Sequence, residues 1–65
     1  MIRLTSYTAD IADEVQGFKT LEDLEENLRQ TASDEYRGWV MNALKSGETR
    51  YEINNGSLRD IYEVL

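Results

Sequence analysis

The first eight residues alternate between apolar and polar side chains. Ile2 and Leu4 fall on one face of an extended segment, and Arg3 and Thr5 fall on the other. Period-two alternation with β-branched and aromatic residues is typical of a strand that buries one face. The pattern therefore predicts a first β-strand over Met1–Thr8.

Residues 9 to 17 give two conflicting signals. Ile11 and Val15 stand four apart, as on a short helix that Thr8 could cap and Gly17 could end. Val15 to Phe18 would equally suit a short strand. We favour a loop or a short helix for this segment.

A first helix is predicted over residues 20–31, where apolar side chains recur every three or four positions. Thr20 can cap its N-terminus, and Asp23 lies three residues later, near the positive end of the helix dipole. One narrow stripe of this helix is apolar and consists of Leu21, Leu24 and Leu28.

A second helix is predicted from Ser33, as the N-cap, to Gly47, as the left-handed stop. Its apolar face follows helical spacing and contains Tyr36, Trp39, Val40, Ala43 and Leu44. This pattern assigns Trp39 to the core. Met41 lies off the apolar face, where we expect it to be exposed.

The C-terminal segment predicts a β-hairpin with a two-residue type I′ turn at Asn55-Gly56. In that register Ile53 faces Leu58, and Glu52 faces Arg59. The side chains predicted to face the helices are Tyr51, Ile53, Leu58, Tyr62 and Val64. Those predicted to face outward are Arg50, Glu52, Arg59, Ile61, Glu63 and Leu65. Asp60 fits poorly on the inner face, and a bulge near Arg59 would cure this and turn Ile61 inward. Both arrangements stay open.

These elements predict a single α+β domain over residues 1–65. Its order is β-α-α-β-β, and its expected architecture is a three-stranded antiparallel sheet with two main helices packed on one face.

The net charge of −6 is concentrated in one part of the chain. Residues 10 to 35 carry nine acidic side chains against Lys19 and Arg29. Direct binding to nucleic acid or to an anionic membrane is disfavoured, because the phosphates would be repelled. A basic protein surface is the natural electrostatic partner.

The composition also narrows the chemistry. The chain has no cysteine and no histidine, which excludes thiolate and imidazole metal sites and Ser-His-Asp triads. No phosphate-binding or calcium-loop motif is present. We therefore expect no enzyme activity, no cofactor and no metal. The N-terminus lacks a signal-peptide core and no apolar run is long enough for a membrane span, so we expect an intact cytoplasmic product.

The first predicted helix places an acidic face opposite its leucine stripe. Glu22, Asp23 and Glu26 share that face, and Asp34 and Glu35 follow in the first turn of the next helix. Glu25 stands four residues before Arg29 and is expected to pair with it. The candidate partner-binding residues are these acids together with an aromatic anchor on the sheet: Glu22, Asp23, Glu26, Asp34, Glu35 and Tyr7. The alternative interpretation of the carboxylates is an ordinary solvated helix face.

The acidic segment "LEDLEENLRQTASDE", in a short chain without cysteine, resembles at class level the small acidic inhibitors of phages and mobile elements, including anti-CRISPR proteins and DNA mimics. That resemblance implies binding to a host nucleoprotein complex, such as a CRISPR effector in the host cytoplasm, and blocking of its nucleic-acid site. The leading hypothesis is a non-enzymatic inhibitor of this kind. The alternatives are a small homodimeric structural or regulatory protein that associates through a sheet face or edge, and an antitoxin-like partner of one enzyme.

Overall fold

The computed structural model describes residues 1–65 and contains four strands and two helices. In chain order these are β1 (Ile2–Thr8), β2 (Ile11–Phe18), α1 (Leu21–Thr31), α2 (Asp34–Lys45), β3 (Arg50–Asn55) and β4 (Leu58–Val64). The strands form one antiparallel sheet in the order β2-β1-β4-β3. The predicted α+β class, with two helices and an antiparallel sheet, is confirmed. The predicted number of three strands is wrong, because the sheet has four.

The additional strand is β2, which occupies the segment that we favoured as a loop or short helix. It begins after a two-residue turn in which Ala9 and Asp10 both have positive φ, 50° and 67°, as a type I′ turn requires. Neither residue is glycine, so the usual sequence signal for this turn is absent. A bulge then places Ala12 opposite Tyr7 and Glu14 opposite Ser6, which breaks the period-two pattern along the strand.

Both predicted helix starts are confirmed by their caps. Thr20 Oγ1 accepts a hydrogen bond from the Asp23 amide at 3.1 Å, and Ser33 Oγ accepts one from the Tyr36 amide at 3.1 Å. Gly47 follows α2 with φ of 101°, the left-handed conformation that glycine adopts without strain.

The core lies between the helices and one face of the sheet. Its fully buried members are Ile2, Leu4, Leu24, Leu28, Val40, Met41, Leu44 and Tyr62. Two sequence assignments are wrong here: Met41 is buried, and Trp39 is 50% exposed. The buried residues of α2 span an arc from Ala43 to Met41 whose centre lies between Val40 and Leu44. At 100° per residue, Met41 is about 80° from that centre whereas Trp39 is about 120° from it, just outside the arc.

The hairpin turn lies one residue later than predicted, at Gly56-Ser57, where only Gly56 has positive φ (65°). Ile53 therefore pairs with Asp60 rather than with Leu58, and Asn54 rather than Glu52 pairs with Arg59. Each inter-strand partner changes by two positions, so every side chain keeps its predicted face.

No bulge interrupts the β3–β4 pairing, so Asp60 does lie on the inner face. Ile61 stays on the outer face, opposite Thr5 on β1 and Glu52 on β3. It is nevertheless buried, at 7% exposure. A central strand of a four-stranded sheet thus shields an apolar side chain even on its uncovered face.

Candidate functional site

All five predicted acidic site residues lie at the surface. Leu24 and Leu28 turn one side of α1 into the core, so the opposite side, with Glu22, Asp23 and Glu26, faces solvent. Asp34 and Glu35 occupy the first turn of α2, next to its Ser33 cap, where negative charge suits the helix dipole.

These residues form two groups rather than one continuous face. Leu21 at the start of α1 and Leu44 near the end of α2 line the same cavity, so the two helices run in opposite directions. At about 1.5 Å per residue, the start of α1 lies about 15 Å along the axis from its end. Glu22 and Asp23 are therefore at one end of the helix pair, Asp34 and Glu35 are near the other, and Glu26 lies midway along α1.

Tyr7 does not join either group. It lies on the outer face of the sheet, where the Arg59 guanidinium stacks 4.6 Å from its ring centroid. The helices cover the opposite face. The structure thus separates the predicted aromatic anchor from the predicted acids by the thickness of the sheet.

Ion pairs neutralise some of the helix carboxylates. Glu26 pairs with Arg29, and Asp34 Oδ1 lies 3.2 Å from the Arg37 guanidinium. Glu25 contacts Lys45 on α2 at 3.6 Å, so the predicted Glu25–Arg29 pair is wrong. Arg29 pairs instead with Glu26, three residues before it, and Glu25 pairs instead with Lys45 on the neighbouring helix. Such exposed pairs contribute little stability, and three other carboxylates make no ion pair: Glu22, Asp23 and Glu35.

The outer face of the sheet carries a different charge pattern. Arg3 pairs with Glu63 at 3.0 Å and Arg50 pairs with Glu52 at 3.2 Å, while Arg59 covers Tyr7 and lies 4.0 Å from Asp10 in the β1–β2 turn. Each of the three arginines thus has a carboxylate partner, which leaves this face nearly neutral. The net negative charge of the protein therefore lies on the helices, the strand ends and the turns.

A hydrogen-bonded network explains why Asp60 is accommodated on the inner face. The Tyr36 hydroxyl donates to Asp60 Oδ2 at 2.7 Å and lies 2.7 Å from the Tyr62 hydroxyl. Because a carboxylate only accepts, the Tyr62 hydroxyl donates to Tyr36. Burial raises the pKa of Tyr36 far above its usual value and raises the pKa of Tyr62 to about 12.

A groove between α2 and the β3–β4 hairpin was not predicted from the sequence. We call it the Trp39 groove; its volume is about 370 Å³, and its lining includes Tyr36, Trp39, Ile53, Asn54, Leu58 and Asp60. Trp39 and Leu58 are each about half exposed, at 50% and 52%. The available sequence signal was the position of Trp39 at the margin of the apolar face of α2.

Comparison with protein-family models, with curated proteins and with solved structures gives no match. No group of three or more acidic side chains is arranged to hold a metal ion. Neither helix is long and apolar enough to cross a membrane.

Proposed function

We propose that this chain is a non-enzymatic binding protein that presents the acidic side of its helix pair to a basic surface on a nucleic-acid-binding protein. Acting in this way, it would inhibit that protein by occupying its nucleic-acid site, as an anti-CRISPR protein or DNA mimic does. The observation that carries the proposal is the separation of charge: exposed carboxylates on the helices, and a nearly neutral outer sheet face.

The unpaired acids supply the electrostatic attraction in this proposal. Glu22, Asp23 and Glu35 are exposed and make no ion pair, so a basic partner would not have to displace an internal cation to reach them. Opposite charges across an interface mainly accelerate association and make it sensitive to salt. Acidic groups at the two ends of a helix about 15 Å long suit a partner surface that normally follows a nucleic-acid backbone over several phosphates.

The test compares two variants with the same net charge. E22Q/D23N/E35Q removes the three unpaired helix carboxylates, and D13N/E14Q/E48Q removes three exposed carboxylates elsewhere. Each immobilised protein is exposed to a bacterial lysate and eluted with a salt gradient, and the eluted proteins are identified by mass spectrometry. The proposal expects a nucleic-acid-binding protein that is retained by the wild type and the control, is lost from the helix variant, and is displaced by added double-stranded DNA. Equal retention by the two variants would refute it.

The second candidate is a homodimer that associates through the edge of the sheet. Strand β2 is an edge strand, and Ile11 and Val15 on it are 71% and 62% exposed. Unpaired strand edges with apolar side chains favour pairing with another chain. Sedimentation equilibrium over a wide concentration range tests this candidate, with V15K as the variant that should abolish any dimer. A monomer mass at every concentration would exclude it.

A further inference from the structure

The Trp39 groove combines an aromatic face, an apolar wall and a single negative charge. The indole of Trp39 is half exposed, and Ile53 and Leu58 supply the aliphatic wall. Asp60 is the only charged residue in the lining, and Asn55, which pairs with Leu58 on the same face of the sheet, adds a side-chain amide. The groove volume of about 370 Å³ is within the range of sites that hold a small molecule or one side chain of a partner.

Asp60 retains free capacity to accept hydrogen bonds. Its Oδ2 accepts from the Tyr36 hydroxyl, which fixes the carboxylate in position. Its Oδ1 makes no hydrogen bond within the protein, and it is not among the atoms that are buried without a partner. An oxygen that is held in place and still reachable can accept a hydrogen bond from a cationic donor, and such charge-assisted bonds are stronger than neutral ones.

We propose that the Trp39 groove binds an arginine side chain of a protein partner. The guanidinium would stack on the Trp39 indole and donate to Asp60 Oδ1, while the methylene stem would lie against Ile53 and Leu58. This inference rests on the proposed function, because it names one side chain by which a basic partner would be held.

Arginine fits this groove better than lysine for two reasons. Its planar guanidinium can stack on an indole and donate hydrogen bonds in its own plane at the same time, whereas an ammonium is a compact, strongly hydrated point charge. Trp and Arg are also the residue types most enriched among the energetic anchors of interfaces. The overall charge of −6 further favours a cationic occupant.

The test uses a defined probe and the intact protein. Acetyl-Gly-Arg-Gly-amide is titrated into ¹⁵N-labelled protein, and two-dimensional NMR follows the indole N–H of Trp39, which is the only tryptophan. We expect a saturable shift of this signal and of the Asn55 side-chain amide. The same peptide with glutamine in place of arginine should produce no saturable shift, and the lysine peptide should bind more weakly than the arginine peptide.

Two variants that each remove one negative charge distinguish binding in the groove from attraction to the overall negative charge of the protein. D60N keeps an acceptor for the Tyr36 hydroxyl but removes the charge, and it should weaken binding about tenfold. E48Q removes an exposed carboxylate beyond the C-terminal end of α2, outside the groove, and should leave the affinity unchanged. W39L should weaken binding several-fold, with the Asn55 side-chain amide as the readout.

Three results would overturn the inference: equal shifts with the glutamine peptide, wild-type affinity in D60N, or shifts spread over the exposed face of α1 instead of the groove. Arginine binding in the groove together with equal lysate capture by the two triple variants would reject the proposed function alone. Specific capture without arginine binding would reject the groove alone. The two proposals therefore fail separately.

Discussion

The Tyr36 and Tyr62 hydroxyls should contribute unequally to stability, although they hydrogen-bond to each other. The perturbation is removal of each hydroxyl by phenylalanine, singly and together. In Y62F, Tyr36 keeps Asp60 as its acceptor. In Y36F, the Tyr62 hydroxyl loses its partner while the residue is only 1% exposed. The single variants therefore differ in whether a buried polar group is left unsatisfied.

Magnitudes follow from this difference. Y62F loses one net hydrogen bond, about 1 kcal/mol of unfolding free energy. Y36F leaves a buried hydroxyl unpaired, which costs about 2 kcal/mol and up to about 3. The double variant contains no orphaned hydroxyl, and half-buried Asp60 can bond to water, so we expect a loss of about 1 kcal/mol. The double variant should therefore be more stable than Y36F alone.

Urea unfolding followed by far-UV circular dichroism measures all four proteins, with linear extrapolation to water. If the unfolding free energy falls with urea concentration at the same slope in every variant, each variant exposes the same amount of surface on unfolding. A double variant less stable than Y36F would refute the reasoning, because removing the Tyr62 hydroxyl would then not relieve an unsatisfied buried group.

Further predictions concern backbone conformation, capping and pH. G38A should raise the unfolding free energy by about 0.5–1 kcal/mol, because Gly38 is inside α2 and nothing lies within 4 Å of an added Cβ; no gain in a thermal melt would contradict this. G56A should lower it by about 1 kcal/mol, because φ at Gly56 is +65°; an unchanged urea midpoint would argue against strain. S33A should remove about 1 kcal/mol with the cap to the Tyr36 amide, and S33D should restore most of it. Burial raises the pKa of Tyr62 to about 12, whereas a tyrosine in the unfolded chain ionises above about pH 10. Between these two pH values the unfolded state binds fewer protons than the folded state. The unfolding free energy should therefore fall by about 1.4 kcal/mol per pH unit for this group. Y62F should reduce that slope, and equal slopes in both proteins would reject the assignment to Tyr62.

Sequence patterns predicted the elements whose local signals agree with the tertiary contacts. The Thr20 and Ser33 caps and the left-handed Gly47 occur as expected, because capping depends on atoms only a few residues apart. The inward side of the hairpin strands also follows from period-two alternation. Its turn does not, since Asn55-Gly56 and Gly56-Ser57 are both acceptable two-residue loops and both registers leave every side chain on the same face.

Strand β2 could not be predicted because its pattern reflects its position at the sheet edge. Ile11 pairs with Thr8 and Val15 pairs with Thr5, so the bulge between them puts these two side chains on opposite faces despite their helical spacing. Glu14 and Gln16, which face the helix side, line a polar cavity instead of the core. The candidate site could be predicted only in part for the same reason. The acidic side chains are visible in the sequence, but the Trp39 groove forms only where α2 packs against the hairpin.

The pairing of the first and last strands has a consequence for folding kinetics. Strand β1 lies against β4 from Ile2–Val64 to Thr8–Leu58, and the Leu65 amide donates to the Met1 carbonyl at 2.9 Å. All other strand pairs are hairpins between chain neighbours, whereas this one closes a loop of roughly fifty residues, at an entropic cost about 2 kcal/mol above that of a tight turn. Docking of β1 on β4 is therefore expected to limit the folding rate. A circular permutant that joins Leu65 to Met1 and opens the chain at Gly56-Ser57 would make this central pair local, and it should fold faster than the natural order.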